Sequence, residues 1–188
     1  MNDGVPLERR MTGLLVGAVF GAVFVVVNAH APLNGVVATF LRVAACLAAA
    51  AVAAMWFTTA RGRRAREGGG GAMFGRGYLA VVAAEVLLLF GGLRVLAAWG
   101  RPEQVNVAWI AVVVGVHFVA LAPIWRTWDI AVPGVLLAGL GAAGFVMAGT
   151  AAVGWVPFVS GVLSGVTLLA GAVAVGWRTM ASAAGTAA

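Results

Sequence analysis

Residues 104–125 read QVNVAWIAVVVGVHFVALAPIW, a stretch without a single Asp, Glu, Lys or Arg. A helix rises by about 1.5 Å per residue, so a helix of this length crosses the ~30 Å hydrocarbon core of a bilayer. Backbone N–H and C=O groups cannot stay unpaired in lipid, which means that such a segment has to be helical. The stretch therefore predicts a transmembrane helix.

Comparable stretches cover most of the chain. We predict six transmembrane helices at about 12–30, 35–59, 77–99, 104–125, 129–150 and 154–177. Hydrophobic residues make up 63% of the 188 residues and charged residues 10%, whereas a soluble domain has roughly 45–50% and 25%. The predicted fold class is all-α: one membrane domain, residues 1–188, built as an integral membrane bundle of six helices.

The distribution of arginine predicts the orientation of the bundle. The chain has no Lys, and its net charge of +6 comes from Arg. Cytoplasmic loops carry the excess of positive residues, so both termini and the basic, Gly-rich loop 60–76 are expected inside (N-in/C-in). Arg101 is the exception on the outer side. The arginines on the inner side are Arg9, Arg10, Arg61, Arg63, Arg64, Arg66, Arg76, Arg126 and Arg178.

The same composition indicates a location and a partner. An Arg-rich chain without Lys suggests a bacterium with a GC-rich genome, and hence the bacterial inner membrane. The Arg cluster at 61–76 lies between apolar spans, so we expect it to contact anionic lipid headgroups and not nucleic acid. One alternative concerns the N-terminus: Ala29-His30-Ala31 after an apolar run resembles a signal-peptide cleavage site. Cleavage there would leave five helices.

Glycines at helical spacing predict close helix packing. Gly13, Gly17 and Gly21 lie four residues apart on the first helix, and Gly161 and Gly165 do so on the sixth. Small residues at this spacing let two helix backbones approach in lipid. The contact is either within the chain or between two copies in a homodimer, and the sequence leaves both open.

Four ionisable residues fall well inside the predicted spans, away from their ends, where charge is costly: Arg42, Glu85, Arg94 and His117. Such residues face the bundle interior and pair with one another. Glu85 lies eight residues into the third helix from its inner end, and His117 eight residues before Trp125. Both are about 12 Å from the inner end, so we expect them to meet. The pair either binds a proton or fixes the helix register.

The outer half of the bundle holds the two cations. Arg42 and Arg94 are at similar predicted depth, with Asn106 near the same end. Together they predict a site that attracts an anionic group of a small-molecule substrate from outside. The alternative is that both guanidinium groups bind helix carbonyls or lipid phosphates.

Other kinds of site find little support in the sequence. The two histidines, His30 and His117, are predicted at opposite sides of the membrane, and Cys46 is the one cysteine. Ser160 and Ser164 on the sixth helix have no His–Asp partner for nucleophilic catalysis. We therefore predict neither a metal site nor a cofactor.

Residues 115–123, GVHFVALAP, resemble a Gly-aliphatic-His-Phe-x-x-Leu-Ala segment in a late helix of small bacterial polytopic membrane proteins. Those proteins also carry a carboxylate in an earlier helix. The resemblance covers nine residues and the six-helix layout, and it implies no particular activity.

These observations favour a small proton-linked transporter or permease for an anionic or amphipathic molecule. Two other classes stay open. In a membrane-embedded enzyme acting on a lipid or isoprenoid, Glu85 would be the general acid or base. In a non-catalytic membrane subunit, the glycine faces would pack against a partner protein.

Overall fold

The computed structural model describes residues 7–63, 76–125 and 127–185, and within these ranges it is all-α, with no strand. It confirms the predicted fold class, a bundle of six helices. The six helices are α1 (Leu7–Asn28), α2 (Gly35–Arg63), α3 (Arg76–Ala98), α4 (Gln104–Trp125), α5 (Ala131–Ala148) and α6 (Leu163–Gly185).

The helix boundaries differ from the predicted ones at several ends. α2 continues past the predicted end at 59 to Arg63, so the first residues of the expected loop are helical. α6 continues past the predicted end at 177 to Gly185. A short 3-10 helix, Trp128–Ile130, precedes α5.

The start of the sixth span is irregular. A 3-10 helix, Ala151–Trp155, leads into a π-helical turn at Pro157–Val162, which continues directly into α6. The π turn carries Pro157 at its first position, where the missing N–H removes no hydrogen bond from the turn. Single π turns in helices are frequently found at functional sites.

Five spans of the described residues are long and apolar enough to cross a membrane. The apolar part of α1, Thr12–Asn28, is shorter than the other five. The chain therefore has the architecture of a polytopic membrane protein, and the crossing by α1 stays a prediction.

The helices pack around two separate cores. The first core is formed by α1, α2 and α6, and the second by α4 and α5 with parts of α1 and α6. The π turn packs against α1, α4, α5 and α6, and so lies at the junction of the two cores. The buried residues of the first core are Ala18, Val25, Ala29, Ala38, Ala45, Val52, Val162, Leu169 and Ala172. Those of the second are Phe24, Val107, Ala108, Ala111, Val114, Leu137, Val156 and Leu168.

Glycines allow α1 and the sixth span to approach closely. Gly21 of α1 and Gly165 of α6 are both buried, and a Cβ on Gly165 would lie 2.5 Å from the carbonyl oxygen of Gly21. Gly161 packs against the side chain of Asn28. These glycines contact each other inside one chain, as the intramolecular alternative expects, which leaves that face no room for a second copy. Gly13 and Gly17 border open space, so a homodimer through them stays a prediction.

Candidate functional site

The third helix lies at the edge of the bundle, and its one extensive interface in the described part of the chain is with α4. Leu96 is the one buried residue of α3 among those whose side chains are described. Near the start of α3 the rings of Tyr78 and Trp125 stack with centroids 6.0 Å apart. Towards the α3–α4 turn Nε1 of Trp109 donates a 3.0 Å hydrogen bond to the carbonyl of Leu88, and its indole ring packs against Gly92.

The contact between these two ends is the predicted pair. Nδ1 of His117 lies 2.9 Å from Oε2 of Glu85. The side chains are 14% and 19% exposed respectively, so both are largely withdrawn into the interface. No hydrogen bond of standard geometry reaches Nδ1, so the two side chains are in close contact without a well-aligned hydrogen bond at this atom. The structure thus confirms the predicted contact, and its chemical role stays a prediction.

The position of the pair follows from the connection between the helices. Five residues, 99–103, join α3 to α4. Among them Gly100, with a φ of 62°, allows the tight turn that reverses the chain. Such a short connection forces α3 and α4 to be antiparallel neighbours. Residues equally far from the turn then meet, as Glu85 and His117 do.

The three residues predicted to bind an anionic substrate are not assembled. Arg42 is on α2, which packs against α1 and α6, whereas Arg94 is on α3, which packs against α4. Among the described helices, α2 has no extensive interface with α3 or with α4, which carries Asn106. Arg94 is exposed and Asn106 half-buried. The predicted joint site of Arg42, Arg94 and Asn106 is therefore absent from this structure, because similar depth does not make two helices neighbours.

Arg42 has an unusual environment of its own. It is half-buried on the face of α2 that also carries Ala38 and Ala45, and its Nε atom is buried without a hydrogen-bond partner. Within the described ranges, no group of three or more His, Cys, Asp or Glu side chains is placed to hold a metal ion. Residues 64–75 of the predicted lipid-binding Arg cluster lie outside the described residues.

The sequence indicates Ser160 and Ser164 of the sixth span only as possible nucleophiles. In the structure they stand out instead by their burial and hydrogen bonding. Ser160 and Ser164 are both fully buried, and they are the buried polar side chains of the described residues. Oγ of Ser160 donates a 2.9 Å hydrogen bond to the carbonyl of Leu140 on α5. Oγ of Ser164 has no partner. The signal that could have found them is the Ser-Gly dipeptide repeated four residues apart, at 160–161 and 164–165.

Comparison of the chain with models of protein families, with curated proteins and with solved structures finds no match.

Proposed function

We propose that this chain is a small proton-linked transporter of the bacterial inner membrane, in which Glu85 and His117 together bind the coupling proton. The observation that carries the proposal is the 2.9 Å contact between the two side chains in a largely buried interface between membrane helices. Ionisable residues inside membrane spans are rare, and substrate pathways, ion pathways and proton relays are built from them.

The pair can bind protons because its net charge depends on how many it holds. With one proton the pair is neutral, either as an imidazolium beside a carboxylate or as two uncharged groups. Loss of that proton leaves a negative charge in the interface, and a second proton leaves a positive one. A net charge in this apolar setting is costly, so gain or loss of a proton favours a conformation in which water reaches the pair.

The loose attachment of α3 suits such a change. The α4–α5 and α1–α6 interfaces are packed backbone against backbone through Gly115 and Gly165, whereas α3 meets α4 mainly through side chains and has most of its described residues exposed or half-buried. α3 can therefore move relative to α4 without opening either core. In this proposal the termini are cytoplasmic, and the solute is an amphipathic small molecule.

The proposal is tested in liposomes that contain the purified protein and a pH-sensitive dye. A panel of amphipathic acids, amines and neutral solutes is added outside, and proton movement and solute uptake are recorded together. We expect wild-type protein to move protons with a subset of the solutes, and Glu85→Gln and His117→Gln to lose the proton movement. Glu103→Gln is the matched control, because Glu103 is an exposed carboxyl in the α3–α4 turn.

Solute uptake at the wild-type rate by the Glu85→Gln, His117→Gln double variant would contradict the proposal. Chemical conversion of an added lipid-like solute would instead identify a membrane enzyme. A protein that copurifies in fixed proportion from the native membrane, with no solute moved by the reconstituted chain alone, would identify a subunit.

A further inference from the structure

Ser164 is a buried polar group whose hydrogen-bonding capacity is unused. Other hydroxyls of α6 bond to their own helix: Thr167 donates to the carbonyl of Leu163 and Thr179 to that of Val175, each at 2.8 Å, and Ser182 donates to the carbonyl of Arg178 at 2.9 Å. Ser164 forms no such bond, although it is 0% exposed. A hydroxyl taken out of water without a new partner is destabilising, and such groups in native proteins call for a specific explanation.

Its neighbours along the helix show where the hydroxyl points. Ser160, one turn earlier on the same face, contacts α5 at Leu140. Leu168, one turn later on that face, belongs to the second core. Gly161 and Gly165, on the adjoining face, contact α1. Ser164 therefore faces the second core where it meets α1, directly below the π turn.

The junction is also the place where the two cores meet. The first core is built on α1, α2 and α6 and the second mainly on α4 and α5, and they are joined through the π turn, through α6 and through α1, whose Phe24 packs in the second core. Relative rocking of two helical units around a site at their interface is how many transporters alternate access. A π turn at that interface makes the backbone locally irregular where irregular backbone is tolerated, inside the protein.

From these observations we propose that Ser164 lies on the solute route, at a site between the two cores that opens to water and takes an uncharged hydrogen-bonding group of an otherwise apolar solute. The site lacks a buried counter-charge among the described side chains, so an ion would be disfavoured there. The apolar residues on both sides suit the rest of an amphipathic molecule. The inference rests on the proposed transport function, but its test measures only whether water reaches position 164 and requires no solute.

Water access is measured by cysteine labelling in native membrane vesicles. In a Cys46→Ala background, Ser164→Cys is treated with a small, charged, water-soluble thiol reagent, and Val162→Cys is treated in parallel. Val162 is the matched control because it is 1% exposed, two residues away, and faces the first core. Thr150→Cys, at an exposed position before the sixth span, sets the rate of an open site.

A minor open state is commonly populated at about 0.1–10%. We therefore expect the cysteine at 164 to react at roughly a thousandth to a tenth of the rate at 150, and the cysteine at 162 to react far more slowly still. Equal, slow labelling at 164 and 162 would overturn the proposal and make Ser164 a packing residue. The labelling result and the transport assay of the Glu85 and His117 variants are independent measurements. Failure of one proposal can therefore be distinguished from failure of the other.

Hydroxyl-radical footprinting of the unsubstituted protein gives a second measurement that does not depend on the variants folding. Leu168 and Leu169 are adjacent and both 5% exposed, but Leu168 belongs to the second core and Leu169 to the first. If the junction opens at Ser164, Leu168 is oxidised faster than Leu169. Equal oxidation of the two leucines would count against the opening.

Discussion

Replacement of Gly165 by Ala tests the closest helix contact of the first core. An added Cβ would lie 2.5 Å from the carbonyl oxygen of Gly21 and 2.7 Å from Cγ2 of Val25, well inside van der Waals contact. A backbone carbonyl cannot turn away, so α1 and α6 must separate. Overpacking of this kind costs about 1–3 kcal/mol. Alanine favours the helical state over glycine by about 0.8–1.0 kcal/mol, which offsets part of that cost.

Gly171→Ala isolates the packing part of this effect. Gly171 is on the same helix, is exposed, and has nothing within 4 Å of an added Cβ. The helix-propensity gain is common to both variants and cancels between them. We therefore expect Gly165→Ala to be less stable than Gly171→Ala by about 1–3 kcal/mol. The free energies are measured by unfolding the purified protein from mild detergent into SDS and following Trp fluorescence. Equal stability of the two variants would refute the close α1–α6 contact.

Three further predictions concern α3, α4 and the orientation. A double-mutant cycle of Glu85→Gln and His117→Gln, read from the same SDS unfolding, should give a coupling energy of about 0.5–3 kcal/mol; additive single variants would argue against the contact. Trp109→Phe removes the donor to the carbonyl of Leu88, so it should cost about 0.5–1.5 kcal/mol and speed hydrogen exchange in α3 but not in α2, which among the described helices has no extensive interface with α3 or α4. Unchanged exchange in α3 would mean that this hydrogen bond does not hold the helix. A cysteine placed at Pro102 should be labelled by an impermeant reagent from outside intact cells, and labelling only after lysis would reverse the assigned orientation.

The parts of the fold that the sequence predicted follow from local rules. Span length and hydrophobicity give six helices, and depth counting brings Glu85 to His117 because a short turn makes α3 and α4 neighbours. The same counting fails for Arg42 and Arg94. It gives the depth of a residue but not the neighbours of its helix, and residues 64–75 between α2 and α3 are long enough to let α3 pack on α4 instead.

The junction could not be predicted in the same way. The π turn depends on how Gly161 fits against Asn28 and how Ser160 reaches Leu140, which are contacts between residues far apart in the chain. Serines in a membrane span ordinarily bond to their own helix, as Thr167 does. The sequence alone does not reveal that the hydroxyl of Ser164 forms no such hydrogen bond.

The Glu85–His117 pair and the junction are connected by a continuous series of packed contacts. His117 is on α4, whose Gly115 packs against the backbone of α5 at Gly134 and Ala138; α5 in turn accepts the hydrogen bond of Ser160 through Leu140. Contiguity alone does not show coupling, so the connection needs its own test. If protonation of the pair drives the opening, Glu85→Gln, which cannot become negative, should change the labelling rate of a cysteine at 164, while Glu103→Gln should not. Because two sites that bias one equilibrium must affect each other, an unchanged rate in Glu85→Gln would separate them: the junction would open independently, and the pair would serve to fix α3 on α4.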